Sequence, residues 1–245
     1  MIDKKRTLVL ALYAAEIMLK NGGETYRVED TIIRICKASN ISYVEAFVTP
    51  TGIFISVDQG KKDEHVFSFI KRIKNRTIDL DKVSQVNDFS RRFTTTDLTI
   101  EEGMDILRKI DKAPKYNKYL RILGAGISSA FFALMLQSTF LDFISSFLIG
   151  ICVYLSVAFV ESLQSNLFIQ NLVGGGVASF LAILAVNINF GSNIDKIVIS
   201  SIMFLLPGVA ITNAVRDSIS GDLVSGLART AEAFIIAISI AVGAG

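Results

Sequence analysis

One histidine and two cysteines in 245 residues leave little room for several kinds of chemistry. His65 stands beside Glu64 in a polar turn with no Cys/His cluster around it, so it reads as a surface histidine. Neither a zinc centre nor a Ser/His/Asp triad is expected, and with them no metal and no cofactor. Cys36 and Cys152 fall on separate helical segments, too far apart for a CxxC pair or a disulfide framework, and read as two small buried hydrophobes. No GxxxxGK[ST] loop exists, so nothing in the chain is built to drive pumping with a nucleotide. Gly124-Ala125-Gly126 only superficially matches a dinucleotide loop, because it lies in an apolar run and follows no strand. Charge is the last scarcity. Of 25 Lys and Arg, 22 lie at or before Arg121, and of 23 Asp and Glu, 17 lie in that same half, leaving the halves at +5 and −3. A single water-soluble globule is ruled out. The short basic stretch around Lys112 is too small a surface for nucleic acid and suits anionic lipid headgroups instead.

What fills the second half is apolar sequence. A hydrocarbon core about 30 Å thick needs roughly 20 apolar helical residues. Five such spans are predicted, at about 119–140, 144–160, 167–187, 196–217 and 228–244. Positive charges sit beside them in a consistent way: Lys112, Lys115, Lys118 and Arg121 precede the first span, and Arg216 and Arg229 flank the connection between the fourth and fifth. Four crossings separate the two groups, so both fall on one side, and the positive-inside rule puts the amino terminus inside. The opening stretch Leu8 to Leu19 is broken by Glu16 and has no cleavage site after it, so no removable signal is expected. The predicted fold is an α+β cytosolic domain, residues 1–113, followed by an all-α polytopic membrane domain, residues 114–245.

In the first half the period reads helix, helix, strand, strand, strand, helix, helix. Residues 4–21 carry apolar positions at helical spacing and stop at Gly22-Gly23. Thr25 is the predicted N-cap of a second helix, Tyr26 to Ala38. After Asn40 the period becomes two, with strands from Tyr43 to Val48 and Ile53 to Val57 about the type I turn Thr49-Pro50-Thr51-Gly52, and a third from His65 to Ile73. Helices are expected over Leu80 to Phe93 and Thr99 to Ile110, the second capped by Thr99 with Glu101 and Glu102 favoured by the helix dipole.

Two segments here invite a functional reading. Gly22-Gly23-Glu24-Thr25-Tyr26-Arg27-Val28-Glu29 gathers charges and a tyrosine at a helix start; it is either an anion site or a capped turn with exposed charges. Pro50-Thr51-Gly52 marks a hairpin tip.

The fourth span carries the most chemistry. Pro207 collides with the carbonyl four residues back, Met203, and Gly208 lets the chain bend, so the helix is predicted to break about 16 Å from Lys196, near mid-bilayer. Asn213, Arg216 and Asp217 follow at helical spacings on one face. Polar groups in a span should face protein or water. The simpler alternatives are a tolerated kink at Pro207 and an interfacial anchor at Arg216. Arg229 and Glu232 are spaced to pair on the fifth span. Glu161, Gln164, Asn166, Gln170 and Asn171 make an amide-rich lining about the second connection, and Gly174-Gly175-Gly176 suits close helix approach. Gly221-Asp222 with Asp217 falls short of an intramembrane aspartyl protease: Ile219 replaces the first glycine of GxGD, and both acids share one connection.

Taken together, Glu24-Thr25-Tyr26-Arg27-Val28-Glu29, Pro50-Thr51-Gly52, Leu206-Pro207-Gly208, Asn213-Ala214-Val215-Arg216-Asp217, Gly221-Asp222 and Arg229 with Glu232 resemble the amino-terminal module of the threonine/serine exporter family, over nearly the whole chain. That family includes a two-subunit bacterial exporter of succinate. The resemblance implies an inner-membrane, multi-pass transporter subunit, not an enzyme, that exports a small carboxylate metabolite such as threonine, serine or a dicarboxylate. Longer family members carry a second hydrophobic half, so with the chain ending at Gly245 a second small membrane subunit is the expected partner, alongside a possible homo-oligomer. In this reading the break at Pro207-Gly208 and Arg216 receive the substrate carboxylate, and Asp217, Asp222 or Glu232 carries a coupling proton. The competing reading is a membrane-anchored cytosolic ligand-binding or sensor domain.

Overall fold

The computed structural model describes residues 2–41, 43–58, 67–114 and 116–245. His65, Glu64 and Lys115 therefore lie outside the described residues, as does the start of the third predicted strand. The chain is mostly helical with one small sheet, and its contacts divide it into two compact units. One comprises Met1–Pro114 with Val209–Thr230; the other comprises Lys115–Gly208 with Ala231–Gly245. A cut at residue 113 thus does not describe the compact units, since Val209–Thr230 returns to the first because its polar side chains find their partners there.

In the first unit, α1 (Ile2–Lys20) and α2 (Thr25–Ala38) form a hairpin. Gly22 takes a φ of +93°, a left-handed turn open to glycine at little cost, and the Gly23 amide donates back to the Met18 carbonyl at 2.9 Å. The strands β1 (Tyr43–Thr49), β2 (Gly52–Asp58) and β3 (Phe67–Arg72) make an antiparallel sheet in chain order, with Thr49 paired to Gly52 across the Pro50-Thr51 turn. Alternation sends Val48, Ile53, Ile55 and Val57 into the core and leaves Tyr43, Phe47, Phe54 and Ile70 exposed. Helices α3 (Leu80–Thr95) and α4 (Ile100–Lys112) follow, the first capped by Asp79 and the second by a complete Thr99–Glu102 capping box. Leu10, Ile17, Met18, Ile32, Ile35 and Leu107 centre one apolar core, and burial among them pushes the Cys36 thiol up to about 12.

The second unit holds α5 (Lys118–Met135), α6 (Phe140–Ser162), α7 (Leu167–Asn187), α8 (Ile194–Ile202) and the far end of α10 (Leu223–Ala244). Among the described residues, α6, α7 and α10 are long and apolar enough to cross a membrane; a bent pair, Ile194–Leu205 with Gly208–Ile219, brings the number to as many as four. Helix α5 falls short of that test, with Lys118 and Arg121 in its first turn. It also ends five residues before the predicted 140, because Thr139 and Asp142 form a capping box that opens α6. Cys152 is exposed, not buried as the sequence suggested. On a helix long and apolar enough to cross a membrane, an outward thiol carries no burial requirement.

Small residues set the helix spacing here. A Cβ at Gly150 would collide with Ser129 on α5, and one at Gly175 with the Ile240 carbonyl of α10. The amide-rich connection serves the backbone: Asn166 caps α7 by accepting from the Ile169 amide at 3.0 Å, Gln170 donates to the Ser165 carbonyl at 2.9 Å, and Asn171 donates to Leu167 at 2.7 Å.

The predicted break is present. Helix α8 ends at Ile202, one 3₁₀ turn runs Met203–Leu205, Leu206 is extended at ψ 138°, and α9 (Gly208–Ile219) leaves at 60°. An extended residue before proline is what the ring's clash with its predecessor demands. Gly208 does not adopt a left-handed φ, and a Cβ there would meet open space, so the bend belongs to Leu206-Pro207 and not to glycine freedom.

Candidate functional site

The α1–α2 turn leaves three backbone groups in need of partners. Gly22 and Gly23 present bare carbonyls, and Thr25, the first residue of α2, has an amide with no partner inside its own helix. Thr25 is therefore not the N-cap. Glu24 occupies that position, and its side chain makes no capping bond. All three groups are met from the segment that rejoins this unit. Asn213 on α9 donates to the Gly22 carbonyl at 2.8 Å, Arg229 on α10 donates to the Gly23 carbonyl at 2.8 Å, and the Thr25 amide donates to Asp217 Oδ1 at 3.2 Å. A carboxylate from α9 thus caps α2, where the dipole favours a negative charge.

Asp217 is fully buried and Arg229 is 6% exposed; Arg229 Nε donates to Asp217 Oδ2 at 2.9 Å. Arg229 thus reaches back twelve residues to form an ion pair with Asp217. Gly221, at φ +95°, turns the chain so that the Asp222 amide donates to the Asp217 carbonyl at 2.9 Å, while Asp222 Oδ2 accepts from Thr25 Oγ1 at 3.3 Å.

The other charges of the amino-terminal motif join the same network. Glu24 is shared: Arg216 Nη1 donates to its Oε1 at 2.5 Å, and Arg27 Nε lies 3.0 Å from its Oε2. Tyr26 lies under Arg27, whose guanidinium is 5.9 Å from the ring centroid. Burial pushes the Glu24 carboxyl up, but the bond from its own backbone amide, the bond from Arg216 and the two nearby guanidinium charges outweigh this and hold it below the usual range. Glu29 is the opposite case. Burial raises it, Asp222 and Asp217 raise it further, and the 2.8 Å bond from the Val48 amide offsets only part. Arg216 is the open group, its side chain 53% exposed.

The arrangement therefore has a sealed centre, Thr25, Asp217 and Arg229, and an accessible cationic rim, Arg216 with Arg27 around Glu24. Such a rim is fit to exchange one carboxylate for another. Pro50, Thr51 and Gly52 close the hairpin, and it is Val48, two residues before Pro50, that reaches the network: its amide meets Glu29, and its carbonyl accepts from Ser225 Oγ at 3.3 Å. Pro207 and Gly208 stand at the start of α9 and Glu232 beyond Thr230, all three counted with the second unit. Sequence reading missed Ser225, Val48 and the two glycine carbonyls. Backbone acceptors leave no side-chain signal, and Ser225 sits unremarkably in a small polar connection.

Against known proteins, the family model for threonine/serine exporters matches residues 9–245. The chain belongs to the threonine/serine exporter family. It is 22% identical to the "Probable threonine/serine exporter" of Mycobacterium tuberculosis over 99% of this chain and 46% of that protein. To the "Threonine/serine exporter" of Corynebacterium glutamicum it is 23% identical over 96% of this chain and 49% of that one. The chain thus spans about half the length of these two relatives. It is also 21% identical to the "Probable succinate transporter subunit YjjP" of Klebsiella aerogenes, over 98% of this chain and 92% of that one. No solved structure matches. The relatives are exporters and transporters, not enzymes, and the apolar helices agree with a membrane protein.

Proposed function

We propose that this chain is the substrate-recognising part of an exporter of small carboxylate metabolites, threonine and serine or a dicarboxylate such as succinate. One observation carries the reading: the charged motif of the α1–α2 turn and the charged motif of α9 and α10 meet in one network within one compact unit, through bonds that span 192 to 206 residues. In this proposal Arg216 takes the substrate carboxylate by giving up Glu24, Arg27 holds Glu24 meanwhile, and Asn213 keeps the α1–α2 turn in place. Asp217, Asp222 or Glu232 carries the coupling proton. Eight residues separate Gly208 from Arg216, about 12 Å along a helix, so the break does not share that carboxylate. Its part is to let α8 and α9 run in different directions.

For topology we propose an inner-membrane protein with residues 1–113 cytosolic and 114–245 forming the membrane domain, in which α5 joins the other segments as a fifth span. The similarity to a protein named as a transporter subunit supports a second small membrane subunit. The test is export of serine, threonine and succinate from cells or proteoliposomes with and without such a subunit. Arg216→Ala should lose most export while inserting normally; full export by that variant would remove Arg216 from the pathway.

The sensor reading keeps one observation in its favour, that the network lies in the unit with the sheet. It expects function to survive shuffling of the polar residues in the third to fifth predicted spans, 167–187, 196–217 and 228–244, and to vanish with residues 1–110.

A further inference from the structure

The outer face of the sheet is built unlike a surface that meets only water. Strand pairing aligns Phe47 with Phe54 and Phe54 with Ile70, so an apolar row runs straight across all three strands. Phe47 and Ile70 are 53% and 74% exposed, and the Phe47 and Phe54 rings lie 6.1 Å apart. One row to one side, the register aligns Glu45 with Ser56 and Ser68; one row to the other, Thr49 with Gly52 and Arg72. Across these three rows the face carries Glu45 on β1 and Arg72 on β3, at opposite corners, with Phe54 at the centre.

We infer that this face is where two copies of the chain pair, packed face to face about a two-fold axis through Phe54. The charge placement chooses the geometry. From Glu45 to Arg72 the sheet extends about 10 Å across two strand spacings and about 13 Å along four residues, so the patch is close to square. A two-fold axis along the diagonal that crosses the Glu45–Arg72 line puts each Glu45 on its partner's Arg72, twice, with the aromatic rows crossing between. That is the orthogonal class of sheet packing. An axis along the strands sets Glu45 against Ser68, and the other diagonal sets like charges against each other. A second copy is thus matched in charge at both corners. The face is smaller than the roughly 800 Å² per partner of a standard interface, so pairing should be reversible and sensitive to the corner charges.

The test is the mass of the full-length chain in detergent and in nanodiscs, by mass photometry across a dilution series. The wild type should show a dimer. Glu45→Arg alone and Arg72→Glu alone, each setting two like pairs at the corners, should each weaken dimerisation at least tenfold. Mixing the two variants should restore it as a heterodimer, because each then supplies the charge the other lacks. Phe54→Ser, at an exposed position, should also weaken pairing. A wild type that is monomeric throughout, single reversals that leave the dimer unchanged, or reversals that do not recover on mixing would each overturn the proposal. A folding defect cannot mimic it, since mixing does not repair a misfolded chain.

Discussion

The two compact units follow opposite rules of burial. In the first, large aliphatic side chains are inside, with Leu10, Ile17, Met18, Ile32 and Leu107 fully buried, and charge lies outside or in cross-linked pairs. In the second, most buried positions are small or hydroxylated, Ala130, Ala133, Ser129, Ser146, Ala178, Ala182 and Ser200 among them, beside a few aliphatics such as Ile149, Val153 and Ile197, while Phe131, Phe159, Phe180 and Phe234 point outward. Water rewards the first arrangement, since about 25 cal/mol per Å² accompanies each apolar area removed from it. Lipid does not reward the second in that way, because tails are as apolar as leucine; close approach of small residues and hydrogen bonds such as Ser146 to Ser200 at 2.8 Å must hold those helices. One chain therefore solves two solvents. Val209–Thr230, although counted with the first unit, keeps the second pattern: it buries Asn213, Ala214, Asp217, Ser225 and Arg229 and leaves Ile211, Ile219, Leu223 and Leu227 outward.

Because the segment's buried polar groups find their partners in the first unit, its ion pair should matter most. Asp217→Asn leaves Arg229 charged, buried and without its carboxylate, and should cost about 3–5 kcal/mol, whereas Asp217→Leu with Arg229→Met should recover most of the loss. Thermal unfolding of the purified protein in one detergent measures both. Equal destabilisation by the single and the double variant would mean that the pair's charge is not what counts. The next largest contrast is apolar. Ile32→Ala empties a site with no exposure and should cost about 2–5 kcal/mol, while Phe180→Ala removes a ring already outside and should cost under about 0.5 kcal/mol. Similar losses would erase the distinction between the units. Overpacking reverses the roles: Gly150→Val, which drives a side chain into Ser129, should cost about 1–3 kcal/mol, with no such penalty for Gly208→Val, where a Cβ meets open space.

How much of this the residues announced depends on the range of the interaction. The α1–α2 hairpin, the strand alternation, the Thr99 cap and the Pro207 break are local, fixed by neighbours within a few positions, and the sequence shows each of them. The residues of the charged network were also visible, since charges amid apolar spans stand out. Their pairing was not. Asp217 caps a helix that starts 192 residues earlier, and Arg229 is held by Asp217 and the Gly23 carbonyl, two partners that no spacing rule connects to it. Thr25 looked like an N-cap for the same reason: its residue type fits, and only the arrival of α9 frees it from that task.

The smallest expected effect concerns pH, and it has two arms with opposite signs inside the first unit. Glu24 is held below the usual carboxylate range by burial outweighed by its hydrogen bonds and the Arg216 and Arg27 charges. A carboxyl lowered in the folded state lends stability that is complete above its unfolded range and fades as pH falls through its lowered one. Glu29 is raised, by burial first and then by Asp222 and Asp217. Its contribution is complete below the unfolded range and is lost as pH rises through the raised one. The unit should therefore be most stable at mildly acidic pH, softening on both sides. Unfolding temperatures read across pH 3 to 8 should show that maximum in the wild type. Glu29→Gln removes the alkaline arm and leaves the acid arm, because glutamine keeps an acceptor for the Val48 amide without a charge to set against the two aspartates. A curve unchanged by Glu29→Gln would mean that Glu29 titrates as it would in water, and that the acids gathered about Thr25 do not feel one another.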